Sequence, residues 1–345
     1  MSSPSISVVM PVFNNEQYLK ESIESVLRQT YDNYEFIIIN DGSTDSSKKI
    51  IEKFQQDDDR IILLTQKNLG ITKSLNRAIK YSNGDYIARM DADDICDPKR
   101  FELQIQHMKK NPNIDIVGSM VSLISKKGET IKFMNDLPIE DYQIKWQLIF
   151  GTPLIHPALL IKKSTFTRYG YFDDRLDVAQ DIEFWRRISY RVRFYNLPKI
   201  LLKLRIHNRS TSFLFQNEQD KVRHISLVQY VNKLTGPYYN NSKIALLIDC
   251  MKNGSSSVYQ LKNAINILNR IRIVFINRKC RSNIQKRYIN KSFSELFIKS
   301  ALNTIKIDRY LALLMLTLSV LINFRIIFYR KTYWYIKQGL LKCIS

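Results

Sequence analysis

Two rhythms of hydrophobic and polar positions alternate along the N-terminal part of the chain. Ile6-Ser7-Val8-Val9-Met10-Pro11-Val12 is a nearly unbroken apolar run, the pattern of a buried strand. From Glu16 to Arg28 the apolar side chains Leu19, Ile23, Val26 and Leu27 recur at helical spacing. Tyr34 to Ile39 is a second, Ile-rich strand ending in Asn40-Asp41-Gly42-Ser43-Thr44-Asp45. A helix to about Gln56, a strand from Ile61 to Thr65, a helix from Ile71 to Tyr81 and a strand from Tyr86 to Met90 complete the series. Strands separated by single helices predict a parallel sheet with right-handed crossovers.

From Pro98 the pattern loosens. A helix is expected to about Lys110, a strand near Ile114 to Leu123, and a hairpin turn at Lys126-Lys127-Gly128-Glu129. A helix near Glu140 to Phe150, a strand around Ala158 to Ile161 and a helix beginning near Ala179 follow. Neither a G-x-G-x-x-G nor a Walker loop is present, which disfavours dinucleotide binding and ATP hydrolysis.

After about Ser212 the chain becomes basic and helical. Charge sharpens this division: residues 1–198 hold 27 Lys+Arg and 27 Asp+Glu, whereas residues 199–345 hold 26 and 5, so the net +21 belongs to the second part. The expected domains are therefore 1–212 and a basic helical region 213–345. Tyr310 to Phe324 is apolar and is followed by basic and aromatic residues to Tyr335. A spanning helix needs about 20 apolar residues, so a helix lying in a membrane interface fits best, with a buried helix and a true span left open. Cys96, Cys250, Cys280 and Cys343 have no metal spacing and read as free thiols in a reducing compartment. With Met1-Ser2-Ser3-Pro4 running straight into a strand, no signal peptide is expected, which points to the cytoplasmic side.

The candidate chemistry begins at Asp91-Ala92-Asp93-Asp94, directly after the fourth strand. In an extended segment Asp91 and Asp93 would face the same way, and their repulsion calls for a cation. Hard divalent ions prefer such oxygen ligands and commonly neutralise a phosphate leaving group. An acidic cluster can also be a solvated turn, but open α/β sheets bind ligands at the carboxyl ends of their strands.

Pro11-Val12-Phe13-Asn14, the Asn40–Asp45 segment, Asn68-Leu69-Gly70 through Asn76-Arg77, and Asp91-Ala92-Asp93-Asp94 fall in an ordered series. This series resembles glycosyltransferase family 2, the inverting nucleotide-sugar transferases of the GT-A fold, over about residues 5–212. The resemblance implies an α/β, Rossmann-like sheet flanked by helices. Pro11, Phe13, Asn14, Asp41, Asn68, Arg77 and Asp91 would bind the nucleotide sugar, with Asp41 holding the base. Asp93 would bind Mn2+ or Mg2+, and His207, from the segment Arg205-Ile206-His207-Asn208-Arg209-Ser210, would ligate that metal or bind phosphate.

Ala179-Gln180-Asp181-Ile182-Glu183-Phe184-Trp185-Arg186-Arg187 looks like the segment bearing the family's catalytic base, Asp181, although Gln180 stands where the family usually has an acid. A helix dipole at Asp181 would favour its ionised form. Structural alternatives stay open: Asp41 or Asp181 as helix caps, Arg77 as a solvated arginine, His156 as a structural residue, and Trp185 as core. The implied reaction moves a sugar, UDP-linked by expectation, to a saccharide or lipid-linked acceptor of surface polysaccharide at an anionic membrane surface. Rival readings are a nucleotide-sugar-binding protein, a nucleotidyltransferase, and a nucleic-acid binder, although no nucleic-acid recognition motif is visible.

Overall fold

Four apolar runs lie side by side in the computed structural model, which describes residues 5–207, 215–237, 239–253 and 257–304. Strand β1 (Ile6–Val12) sits between β2 (Tyr34–Asp41) and β4 (Tyr86–Arg89), with β3 (Ile61–Gln66) outside β2, and all four are parallel. Ile6, Val8, Met10 and Val12 enter one core with Leu19, Ile23 and Val26 of helix α1 (Glu16–Leu27) and Ile51 of α2 (Ser47–Asp57). Phe101, Ile105 and Met108 of α4 (Arg100–Lys110) join it. Helix α3 (Ile71–Tyr81) packs on β1 and β2, and its Leu75, Ala78 and Ile79 are buried apart from that core. Helices on both faces explain why these strands read as continuous apolar runs.

Beyond β4 the sheet becomes mixed. Strands β5 (Ile95–Cys96), β6 (Ile116–Ile124), β7 (Thr130–Met134), β8 (Leu160–Lys162) and β9 (Phe194–Arg205) extend it in the order β3-β2-β1-β4-β8-β6-β9-β5, with β7 on β6. β8 runs antiparallel to both β4 and β6, while β9 runs parallel to β6.

Several elements differ from the sequence expectations. The helix expected over Glu140–Phe150 is α5 (Asp141–Gln147), started by a reciprocal capping box between Glu140 and Gln143. The strand expected at Ala158 is delayed to Leu160 by the 3-10 turn His156–Ala158, which carries Pro157 at its start. Helix α6 (Lys163–Tyr169) and the long β9 were not foreseen. β9 escapes pattern reading because Leu197 pairs with Ser119 and Ile200 with Met120, leaving Pro198 and Lys199 as an insertion. Proline cannot donate to the ladder, and a bulge interrupts the two-residue period.

Contacts divide the chain into two units, Met1–Arg223 and His224–Ser345. The second contains the helices Asn241–Asn253, Val258–Lys279 and Asn283–Thr304. Ser257 caps the second of these by accepting the Gln260 N–H at 3.2 Å. Leu247, Ile271, Phe275, Ile289 and Phe293 are buried there. Among the described residues no helix is long and apolar enough to cross a membrane, and the apolar stretch 310–329 lies outside them.

Candidate active site

The loops leaving β1 and β2 are knitted into one rim. Asn14, in the left-handed region at φ 49°, donates its backbone N–H to Ser43 Oγ at 3.1 Å and accepts the Thr44 N–H on Oδ1 at 2.8 Å. Two carboxylates cross the same gap: Asp45 Oδ2 accepts the Glu16 N–H at 3.0 Å and Glu16 Oε2 accepts the Ser46 N–H at 2.8 Å. Pro11 is half-buried opposite Ile39, while Phe13 is 50% exposed at the rim.

Asp41 ends β2 and is buried. Its Oδ1 accepts from Gln66 Nε2 at 2.7 Å and from the Leu69 N–H at 2.9 Å, and its Oδ2 from the Gly70 N–H at 2.9 Å. It therefore holds the loop that starts α3. Arg77 Nη1 donates to Thr65 O at 3.0 Å and to Gln66 Oε1 at 2.8 Å, which turns the Gln66 amide nitrogen toward Asp41. Asn68 is exposed beside it. Gly42 is required here, because at φ 74° an added Cβ would lie 2.6 Å from Asn68 N.

The acidic cluster does not lie in an extended strand as expected. β4 stops at Arg89 and residues 92–93 form a turn, so folding back of the chain, not strand alternation, gathers the carboxylates. One oxygen each from Asp91, Asp93 and Asp94 falls within 4.8 Å of the others. Each carboxylate also has its own partner. Asp91 pairs with the buried Arg89, Asp93 Oδ2 meets His207 Nε2 at 2.8 Å, and Asp94 Oδ1 accepts the Arg205 N–H at 2.9 Å.

Asp94 Oδ2 is buried without a partner. Burial, then the Asp93 and Asp91 charges, push the Asp94 carboxyl well above the usual range. Burial likewise raises Asp91, against the pull of Arg89. An orphaned carboxylate oxygen among three acids and an imidazole is a donor set suited to a divalent cation.

Arg205, the last residue of β9, braces the cluster. Its Nε donates to Asp93 O at 2.8 Å and its Nη2 to Glu21 at 2.6 Å, while its guanidinium lies 4.6 Å from the Tyr18 ring centre. His207 stacks on the same ring at 5.3 Å.

Asp181 is the second residue of α7 (Gln180–Ile188), a helix preceded by Ala179 at φ 54°. Its negative charge adds to the upward push on the Asp91 carboxyl, behind burial and Asp93, so the two lie within electrostatic reach of each other. The expectation that the helix start governs its ionisation is modified: burial raises its carboxyl, while the Ile182 N–H, Arg223 and Arg89 pull it back. One turn on, Trp185 is fully buried core, edge-on to His156 at 5.8 Å. Burial, then Arg89, push the His156 imidazole well below its ordinary value, so it stays neutral.

The family profile described as glycosyl transferase family 2 matches residues 7–167. An uncharacterised glycosyltransferase of Haemophilus influenzae is 33% identical over 245 residues, 67% of this chain and 76% of that protein. The chain belongs to glycosyltransferase family 2. The putative glycosyltransferase EpsE of Bacillus subtilis is 34% identical over 210 residues, 59% of this chain and 74% of its own length. Among solved structures, residues 1–349 of S. aureus TarS with UDP-GlcNAc superpose with a TM-score of 0.56 at 15% identity, covering 97% of this chain and 92% of that one. The mannosyltransferase PcManGT of Pyrobaculum calidifontis, with GDP-Man and Mn2+, gives 0.52 at 16% identity over 100% and 88%. These likenesses establish the GT-A fold.

In this family 2 glycosyltransferase the sequence named most of the cleft's acids but missed its braces. Arg89 carries a visible signal, a charge at the end of an otherwise apolar strand. Arg205 stands in the same motif segment as His207, whereas Tyr18 and Gln66 carry no signal, since their roles arise from contacts made across the fold. Asn76 enters the sequence pattern only as part of the Asn68–Arg77 motif.

Proposed function

We propose that this glycosyltransferase moves a sugar, with inversion, from a UDP-linked donor to an acceptor hydroxyl. The observation that carries this reading is the meeting of Asp91, Asp93, Asp94 and His207 at one lip of the sheet, with Asp181 in the first turn of α7 and within electrostatic reach of Asp91. Asp93 and His207 would hold the metal, Mn2+ or Mg2+, which supplies positive charge for the departing diphosphate. Asp41 Oδ2 accepts a bond from Gly70, and a carboxylate oxygen can take a second, from a base N–H.

Phe13, Asn14, Pro11 and Asn68 would line the nucleotide, and Asp91, held by Arg89, would take the ribose. Arg77 Nη1 is bonded to Thr65 and Gln66, so a diphosphate contact falls to its other nitrogens. Asp181 takes the proton of the acceptor hydroxyl as that oxygen attacks the anomeric carbon. The bond to the diphosphate breaks on the opposite face, its electron pair leaves with the diphosphate, and no sugar–enzyme bond forms.

The acceptor on this reading is a lipid-linked saccharide used in surface polysaccharide assembly, met at an anionic membrane surface. Support comes from the basic excess after residue 198 and from exposed Tyr259, Ile273 and Ile284 in the second unit. TarS is bound to UDP-GlcNAc and PcManGT to GDP-Man, so the decisive test spans both nucleotides. UDP-, GDP- and dTDP-sugars are screened for manganese-dependent donor hydrolysis with the native chain, and the donor so found is used to compare transfer to a saccharide acceptor by the native chain and Asp181→Asn. We expect UDP-sugar turnover in the native chain. The variant should lose transfer, by about a thousandfold or more, with donor affinity kept. Undiminished transfer by the variant would remove Asp181 from the reaction.

A further inference from the structure

Helix α3 and its lead-in bond to Asp41 on one side and to the loop before Asp181 on the other. At its start, the Leu69 and Gly70 N–H groups bond to Asp41, the residue placed at the donor base. Farther along, two of its side chains grip the loop that leads to Asp181. Thr72 Oγ1 donates to Leu176 O at 2.5 Å. Asn76, 3% exposed, makes three bonds: Nδ2 donates to Phe172 O at 2.8 Å and to Asp174 Oδ1 at 2.5 Å, and Oδ1 accepts the Phe172 N–H at 3.1 Å. The loop then passes through Ala179, which with Asn14 makes up the positive-φ non-glycine residues among those described. A left-handed alanine is strained and persists only where its surroundings enforce it.

We propose that Asn76 is a positioning residue for the acceptor-side base: its amide clamps residues 172–174 onto α3 and thereby sets where Asp181 stands relative to a donor held at Asp41. This rests on the base role given to Asp181 above. The side chain touches neither donor nor acceptor. Its effect runs through the backbone it holds, since both Phe172 groups are bound by one planar amide and Asp174 by its remaining N–H. Thr72 supplies a second hold one turn earlier.

The test compares native chain, Asn76→Asp, and the double variant Asn76→Asp with Asp174→Asn, in steady-state transfer with manganese. Asn76→Asp keeps the size but sets a carboxylate against Phe172 O and Asp174. The double variant swaps donor and acceptor across the 76–174 bond. We expect Asn76→Asp to lower kcat about tenfold or more, the scale of a misplaced group, with donor KM within about twofold. The double variant should regain about threefold or more of that loss, which general loosening would not give.

An unchanged kcat, a matching rise in donor KM, or a double variant no better than the single one overturns the proposal. If Asn76→Asp does not fold, Thr72→Val decides. A kcat lowered about threefold at constant donor KM supports the clamp, and an unchanged kcat overturns it. A native chain that turns over no donor defeats the transferase reading itself, a result distinct from native turnover with indifferent variants.

Discussion

Asp94 shows how the site's chemistry sets itself against stability. Its Oδ1 is satisfied by the Arg205 N–H, but Oδ2 is buried beside two other carboxylates with nothing to bond. Asparagine keeps the first bond and offers a donor in place of the second oxygen. Without metal, Asp94→Asn should therefore be more stable than the native chain, by about 1 kcal/mol or more at neutral pH. The pH dependence follows from the raised carboxyl. At acid pH native Asp94 is protonated and resembles asparagine. As pH rises from the ordinary aspartate range through the raised folded value, the native chain alone bears the cost of the charge. The variant's advantage in urea midpoint, measured in chelator, should thus grow with pH, while its manganese affinity falls about tenfold or more. A variant less stable than the native chain at neutral pH would show that the cluster is relaxed without its metal.

At the scale of elements, the contact between β6 and β9 carries the mixed half of the sheet. Gly118 of β6 faces Asn196 of β9, and a Cβ on Gly118 would sit 2.1 Å from Asn196 Oδ1. The Asn196 amide donates to Pro138 O at 2.7 Å and to Pro153 O at 3.0 Å, so it fastens two loops onto the sheet. Gly118→Ala must push this amide out of place, and we expect a loss of about 1–3 kcal/mol in urea unfolding. An unchanged midpoint would mean that β9 shifts freely. The first four strands were legible because both faces of each are covered, which leaves long apolar runs such as the wholly buried β2. β9 was hidden by Pro198 and Lys199 and by its half-exposed pattern, and β5 has two residues, too few for any period. Yet β9 delivers Arg205 to the acidic cluster.

Over the whole molecule, charge is divided as sharply as structure. The neutral part, residues 1–198, contains the cleft's acids and Asp181, and the excess of positive charge follows it. In the second unit Tyr259 is 75% exposed, Ile273 45% and Ile284 75%, apolar surface in a strongly basic setting. If these serve a membrane, the full chain should sediment with phosphatidylglycerol vesicles at low salt but not with phosphatidylcholine vesicles. Raising salt from about 0.05 to about 0.5 M should release most of it as the Debye length shortens. Equal binding to both vesicle types, or none, would remove the membrane from the account.

The order of strands, the acids placed after them and the uneven charge are all local properties, written as runs and spacings that a linear reading detects. From these the family, the α/β class and Asp93, His207 and Asp181 as candidates could be named. The partners could not. Asp93 meets His207 114 positions later, Arg205 reaches Asp93 across 112, and Asn76 meets Asp174 across 98. Such pairings depend on how helices and strands pack, and no periodicity encodes which distant side chains packing will join. Folding alone decided that three carboxylates converge in a turn, and that one helix bonds both to Asp41 at its start and to the loop before Asp181.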